Sequence, residues 1–220
     1  CPAPKVVKNG EGSALMRDPK KAEEILTAIR RATKLPFTVK MRLGWDDSSR
    51  NAVELARMAE AVGVDAVAVH GRTREQFYSG NADYAAIAEV KRAVNIPVIV
   101  SGDIRRPSDL ARALDITGAD AVMIGRGAQG NPWIFPQLIH WLHTGEELSP
   151  PTLIERARVI LRHLDLLVGY KGEYVGIREM RKHAAWYTRG LAGSAELRER
   201  FNRAASKDEF VNILREAWEI

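Results

Sequence analysis

Cysteine is nearly absent: the 220 residues hold one, Cys1, so no disulfide can close within the chain and a metal site must draw on other ligands. Long apolar runs are missing too. None approaches the ~20 residues that a membrane helix needs, and no charged segment leads into an apolar signal core, so a cytoplasmic location is expected. No HExxH spacing occurs among His70, His140, His143, His163 and His183; His140 and His143 share a spacing that suits one helix face, but no metal is expected. Nor is there a concentrated charge. The net charge of +5 is spread along the chain, which permits a polyanionic partner without demanding one. With 45% apolar and 28% charged residues the composition excludes a disordered chain. The sequence opens on Cys-Pro-Ala-Pro instead of Met, which reads as a fragment of a longer protein.

From Lys20 to Ile124 one pattern repeats: an amphipathic helical stretch, a turn, a β-branched run, then a Gly-rich or polar loop. The runs are Phe37 to Arg42, Ala66 to His70, Pro97 to Ser101 and Ala121 to Ile124, spaced as βα units are. Gly63 and Gly118 are expected to cap the helices before them. Runs apolar on both faces indicate parallel strands covered by helices, so the fold class is α/β. After Gly130, Asn131-Pro132-Trp133 opens a short helix, and Ser149-Pro150-Pro151 breaks the chain. Everything beyond reads as helix, roughly 152–169, 175–189, 194–204 and 207–219, with Ser194 and Ser206 as N-caps. The expected domains are therefore 1–145, α/β, and 146–220, all-α.

Polar residues follow each strand, where a (β/α) barrel builds its active site: Lys40 and Arg42, His70 with Arg72, then Ser101-Gly102-Asp103 and Gly125-Arg126. Two Gly-containing loops after consecutive strands, each leading into a helix, make a phosphate cradle, because backbone N–H groups and helix dipoles point at the anion. Lys40 inside an apolar strand needs an anionic partner or open water. A structural ion pair for Lys40 and a satisfied core histidine at His70 remain open. Lys5, Lys8, Arg72 and Arg74 flank these loops, near Gln76, Phe77 and Tyr78, and are candidates for substrate phosphates, with solvated surface charge as the bland reading. In the helical part Arg178, Arg181 and Lys182, with His183, Trp186, Tyr187 and Arg189, mix cations with aromatics as an RNA surface does, or line an ordinary helix.

The segments CPAPKVVKNGEGSALM, VKMRLGW, AVHGRTREQFYSG, VIVSGDI and VMIGRGAQGNPWIF together resemble the successive motifs of bacterial tRNA-dihydrouridine synthases, nearest the DusB group. The resemblance covers essentially the whole chain. It implies the C-terminal half of a (β/α)8 TIM barrel, about strands five to eight, followed by a helical tRNA-binding domain. It also implies FMN as cofactor, NADPH as electron donor, and reduction of the C5=C6 bond of tRNA uridines, with hydride to C6 and a proton from Cys1 to C5. On the same ground Lys40 and His70 fall on flavin-contacting positions, and Ser101, Gly102, Asp103, Gly125 and Arg126 on the phosphate loops. Ser101 departs from the family, where Asn is common. The missing N-terminal half-barrel, or self-association in its place, is expected to complete the fold. Two rivals stand beside this reading: another FMN-dependent barrel oxidoreductase acting on a free small molecule, and an inactive fragment that binds RNA or itself.

Overall fold

The computed structural model describes residues 1–219, which form two compact units, Cys1–Arg126 and the part from Gly127 onward. The break lies ahead of Gly145–Pro151, where the prolines mark a linker in the sequence. The helix Ile134–Thr144 thus belongs with the second unit.

The first unit opens with α1 (Pro4–Val7), a 3₁₀ turn (Gly12–Arg17) and α2 (Pro19–Ala32). Three βα repeats and a fourth strand then follow the expected runs: β1 (Thr38–Arg42), α3 (Ala52–Val62), β2 (Ala66–His70), α4 (Tyr84–Ala93), β3 (Val98–Ser101), α5 (Pro107–Thr117) and β4 (Ala121–Met123). The strands are parallel, in the order β1-β2-β3-β4. Gly63 and Gly118 end α3 and α5 in the left-handed conformation, at φ 92° and 61°, which glycine adopts without a Cβ penalty.

A monotonic strand order fixes where the helices go. Crossovers between parallel strands are right-handed, so successive crossovers stepping in one direction lie on one face of the sheet. That face buries Val67, Val69, Val98 and Val100 against Ile87, Leu110 and the small residues of α3. Side chains alternate along a strand, so the opposite face takes Lys40, Arg42, Ala68, His70, Ile99 and Ser101. The register sets Arg42 beside His70 and His70 beside Ser101, one row at the C-terminal ends of three strands.

The second unit is helical: α6 (Ile134–Thr144), α7 (Leu153–Lys171), α8 (Glu173–Tyr187), α9 (Ser194–Arg203) and α10 (Lys207–Trp218). Thr152 and Glu155 close a capping box on α7, and the Ser206 side chain accepts from the Glu209 amide at the start of α10. Ser194 differs from expectation, being the first residue of α9 with Gly193 at the cap. The core joins Ile160 and Leu164 of α7 to Ile177 and Met180 of α8, and Phe201 stacks on Phe210 at 4.5 Å. Gly176 lets α7 and α8 close up: a Cβ there would lie 2.9 Å from the Val168 nitrogen. No helix among the described residues is long and apolar enough to cross a membrane.

Candidate active site

The candidate site lies in the first unit, where the sheet face opposite α3–α5 meets a cavity that also takes in Leu55 and Met58 of α3. Lys40 and Arg42 are two apart on β1 and so share that face with His70. Cys1, Lys40, Arg42, His70 and Tyr78 line one cavity of about 570 Å³, otherwise mainly apolar. Cys1 is exposed, and its carbonyl accepts from both the amide and the hydroxyl of Ser13, each at 3.0 Å. Gly12 permits that approach, since a Cβ there would meet the Cys1 oxygen at 2.6 Å.

Charge in this cavity is one-sided. Lys40 is held below its ordinary value by desolvation and then by Arg42. Arg42, buried at 5% exposure, donates to the Thr73 carbonyl at 2.6 Å and lies 5.8 Å from the Tyr78 ring centroid. His70 is pushed down to about 3, first by burial and then by Arg42, Lys40 and Arg72, against the opposing pull of Asp103. The imidazole is therefore neutral near pH 7. Arg72 reaches His70 Nε2 at 3.4 Å, and since a guanidinium only donates, Nδ1 carries the hydrogen.

This depressed value has a stability consequence. Unfolded histidine titrates near 6.5, so between that pH and about 3 the unfolded chain takes up a proton that folded His70 refuses. The stability from neutral His70 is complete above pH 6.5 and drains as the pH falls, by about 1.4 kcal/mol per unit. In urea titrations followed at unit one, the native chain is expected to lose about 2 kcal/mol more than His70→Asn between pH 7 and 5. Equal losses in both chains would show that His70 titrates in the fold as it does in the unfolded chain.

Beside the cavity, Arg72 is 1% exposed and occupied within the protein: it donates to the Ser79 and Gly80 carbonyls at 2.9 and 2.6 Å and to Asp103 Oδ2 at 2.6 Å. These bonds turn its donors inward, to hold Asp103 and His70. Asp103, at φ 55°, accepts on Oδ2 also from the Ala82 amide at 2.8 Å and on Oδ1 from Arg126 at 2.9 Å. Burial would raise its carboxyl, but the Arg72 hydrogen bond, the Ala82 amide and the charges of Arg72 and Arg126 outweigh it and hold it below the usual range. The carboxylate thus organises two arginines.

The loops after β3 and β4 meet as expected. Gly102, at φ 128°, has no room for a side chain, its Cβ falling 2.7 Å from that of Ala82. Gly125 is different: its φ lies outside the left-handed region and a Cβ there would meet nothing within 4 Å. Neither strain nor packing within the protein asks for glycine at that position. Arg126 stacks on Tyr78, 4.4 Å from the ring centroid, and with Arg72, Arg105 and Arg106 borders a second cavity of about 380 Å³.

The remaining candidates scatter. Lys5 and Lys8 are exposed on the Cys1 segment, and Arg74 stands on the Trp45 ring at 4.7 Å. In the second unit Arg178 and Lys182 are exposed, over Tyr174 at 3.4 Å and Trp186 at 5.1 Å. Arg181 is half-buried and donates to the Ala204 carbonyl at 2.6 Å, a bond inside the helical unit. Tyr78 is the residue that sequence reasoning undervalued: it joins the two cavities, and nothing local marks it beyond an aromatic next to the cationic loop.

The match to known proteins decides the family. The family model described as dihydrouridine synthase matches residues 1–219. The chain belongs to the dihydrouridine synthase family. Among dihydrouridine synthases it is similar to a probable tRNA-dihydrouridine synthase of Rickettsia conorii, 51% identical over 198 residues, covering 90% of this chain and 60% of that protein. It is also similar to the tRNA-dihydrouridine synthase B of Xanthomonas axonopodis pv. citri, 48% identical over 216 residues, with 98% and 65% covered. The Pseudomonas aeruginosa tRNA-dihydrouridine synthase B is 47% identical over 208 residues, with 94% and 63% covered. The chain thus spans about three fifths to two thirds of the length of these relatives.

Proposed function

We propose that the chain is the catalytic-cysteine half of a tRNA-dihydrouridine synthase, which reduces the C5=C6 bond of uridines in tRNA with FMN and NAD(P)H, in the cytoplasm. The observation that carries this reading is the gathering of Cys1, Lys40, Arg42 and neutral His70 on one cavity wall at the strand ends. Family membership supplies the reaction class. Four parallel strands with helices on one face make half of a (β/α)8 barrel, and the helical unit, with Arg178 and Lys182 exposed, makes the tRNA-binding domain.

The residues present fit a flavin phosphate. Gly125 leaves space that the protein does not use, the loop amides around Gly102 and Gly125 supply donors, and Arg126 supplies charge. When bound, FMN supplies the hydride for uracil C6. Lys40 would offer a cation to the negative charge that a reduced flavin carries, and His70 would offer Nδ1–H as a donor without adding charge. Cys1 holds the proton for C5.

Flavin titration of the complete protein tests the cradle. Arg126→Ala and His70→Ala are expected to weaken FMN binding more than tRNA binding, with Arg126→Ala costing roughly 1.5–3 kcal/mol for a charge-assisted phosphate contact. Unchanged flavin affinity in both variants places the cradle elsewhere.

A further inference from the structure

We propose that Arg17, Trp45 and Arg74 form a separate anion clamp on the rim of the first unit, which grips phosphodiester groups of the RNA strand flanking the reacting uridine. This rests on the tRNA reading above and adds a site to it. The guanidinium carbons of Arg17 and Arg74 lie 4.8 and 4.7 Å from the same indole centroid. A guanidinium held over an aromatic ring has N–H groups to spare beyond that contact, and its fork matches a phosphate.

The surroundings leave those forks unused. Asp46 is taken up by the amides and hydroxyls of Ser48 and Ser49, and Asp47 pairs with Arg50. Glu75, next in the chain to Arg74, makes no ion pair among the described residues. Arg74 Nε is buried with no hydrogen-bond partner. Two like charges beside one ring repel each other, and a bridging polyanion relieves that repulsion.

The backbone holds the three side chains together. Arg74 and Glu75 amides donate to the Gly44 and Trp45 carbonyls, both at 2.9 Å, and Asn51 Nδ2 donates to the carbonyl of Met16, the residue before Arg17, at 2.8 Å. Gly44 permits the turn, since a Cβ there would lie 2.4 Å from the Ser49 oxygen. A cavity of about 400 Å³ opens beside Arg17 and Trp45, and Met16 lines both it and the larger cavity that holds Cys1. A strand whose base enters the larger cavity passes this rim with its phosphates.

The test is the salt dependence of binding, which counts phosphate contacts. A labelled, unmodified tRNA transcript and a single-stranded octamer of adenylate are titrated with the chain over roughly 50–200 mM salt. Arg17→Gln and Arg74→Gln are each expected to flatten the slope of log K against log salt by about 0.7–0.9. Trp45→Leu removes no charge, yet it is expected to flatten the slope by more than either arginine change alone, while Trp45→Phe restores most of it. A Trp45→Leu slope equal to the native one overturns the clamp while leaving the tRNA reading intact. Should Trp45→Leu fail to fold, the exposed Arg17→Gln change carries the test, and an unchanged slope there overturns the clamp as well. Native binding to the octamer but not to tRNA, with a slope that depends on Trp45, keeps the clamp and removes the tRNA reading. Binding to neither removes both, and loss of NADPH binding alone in Trp45→Leu overturns the RNA assignment.

Discussion

In the complete protein, Cys1→Ala is expected to keep FMN bound while uridine reduction falls by about 10²–10⁴-fold, the usual contribution of a positioned acid. The two effects separate because they rest on different elements. The proposed phosphate cradle lies on the loops after β3 and β4, whereas Cys1 is held through its carbonyl by Ser13 on the 3₁₀ turn. Removing the thiol leaves both Ser13 bonds in place, since they use the Cys1 backbone. It takes away only the group that faces the cavity shared with Lys40 and His70. Dihydrouridine content of a tRNA transcript after single turnover, with flavin absorbance measured on the same sample, reads both quantities. Native turnover in the variant removes Cys1 from the reaction, and loss of flavin shows that Cys1 holds the cofactor site instead.

Much of the fold was legible because each strand declares itself. Val, Ile and Ala runs bounded by Gly and Pro placed all four strands to within two residues, and Gly63 and Gly118 fell at left-handed caps. The unit boundary was not legible in the same way. Pro150 and Pro151 mark a break in local structure, but whether Ile134–Thr144 packs with what precedes or follows it depends on tertiary contacts that composition does not encode. The start of α8 at Glu173 is likewise set by Gly172, whose φ of 75° turns the chain two residues before the expected 175.

The candidate site divides along similar lines. Lys40, His70 and Arg126 could be named as candidates because a polar residue at the end of an apolar strand has few places to point. The internal bonds that Arg72 and Arg181 make were not legible. In sequence an arginine beside a loop is a surface charge, and only the folded chain brings the Ser79 and Gly80 carbonyls round one and the Ala204 carbonyl to the other. Asp103 misled in the opposite sense, since its place in the cradle loop hid a carboxylate spent on two arginines.

That spending sets the largest stability effect expected in the first unit. Arg72 has a side chain only 2% exposed, and Asp103 is its sole carboxylate within ion-pair distance among the described residues. Removing one partner of a buried pair costs about 3–5 kcal/mol, because the other charge stays desolvated and uncompensated. Asp103→Asn is the sharpest form of the test. Asparagine also tolerates φ near 55°, so backbone strain does not enter. Both carboxylate oxygens accept from donors, Oδ2 from Arg72 and Ala82 and Oδ1 from Arg126, so an amide NH2 in either orientation faces a donor. Amide exchange of the β2 and β3 residues isolates this unit from the helical one. Their opening free energy at pH 7 is expected to drop by about 3–5 kcal/mol in Asp103→Asn. Pairing the change with Arg72→Met removes the stranded charge and is expected to recover part of the loss, a coupling that a double-mutant cycle measures. A loss below about 1 kcal/mol, the range of exposed pairs, would mean that water reaches Arg72 and that its role in holding His70 neutral is misplaced.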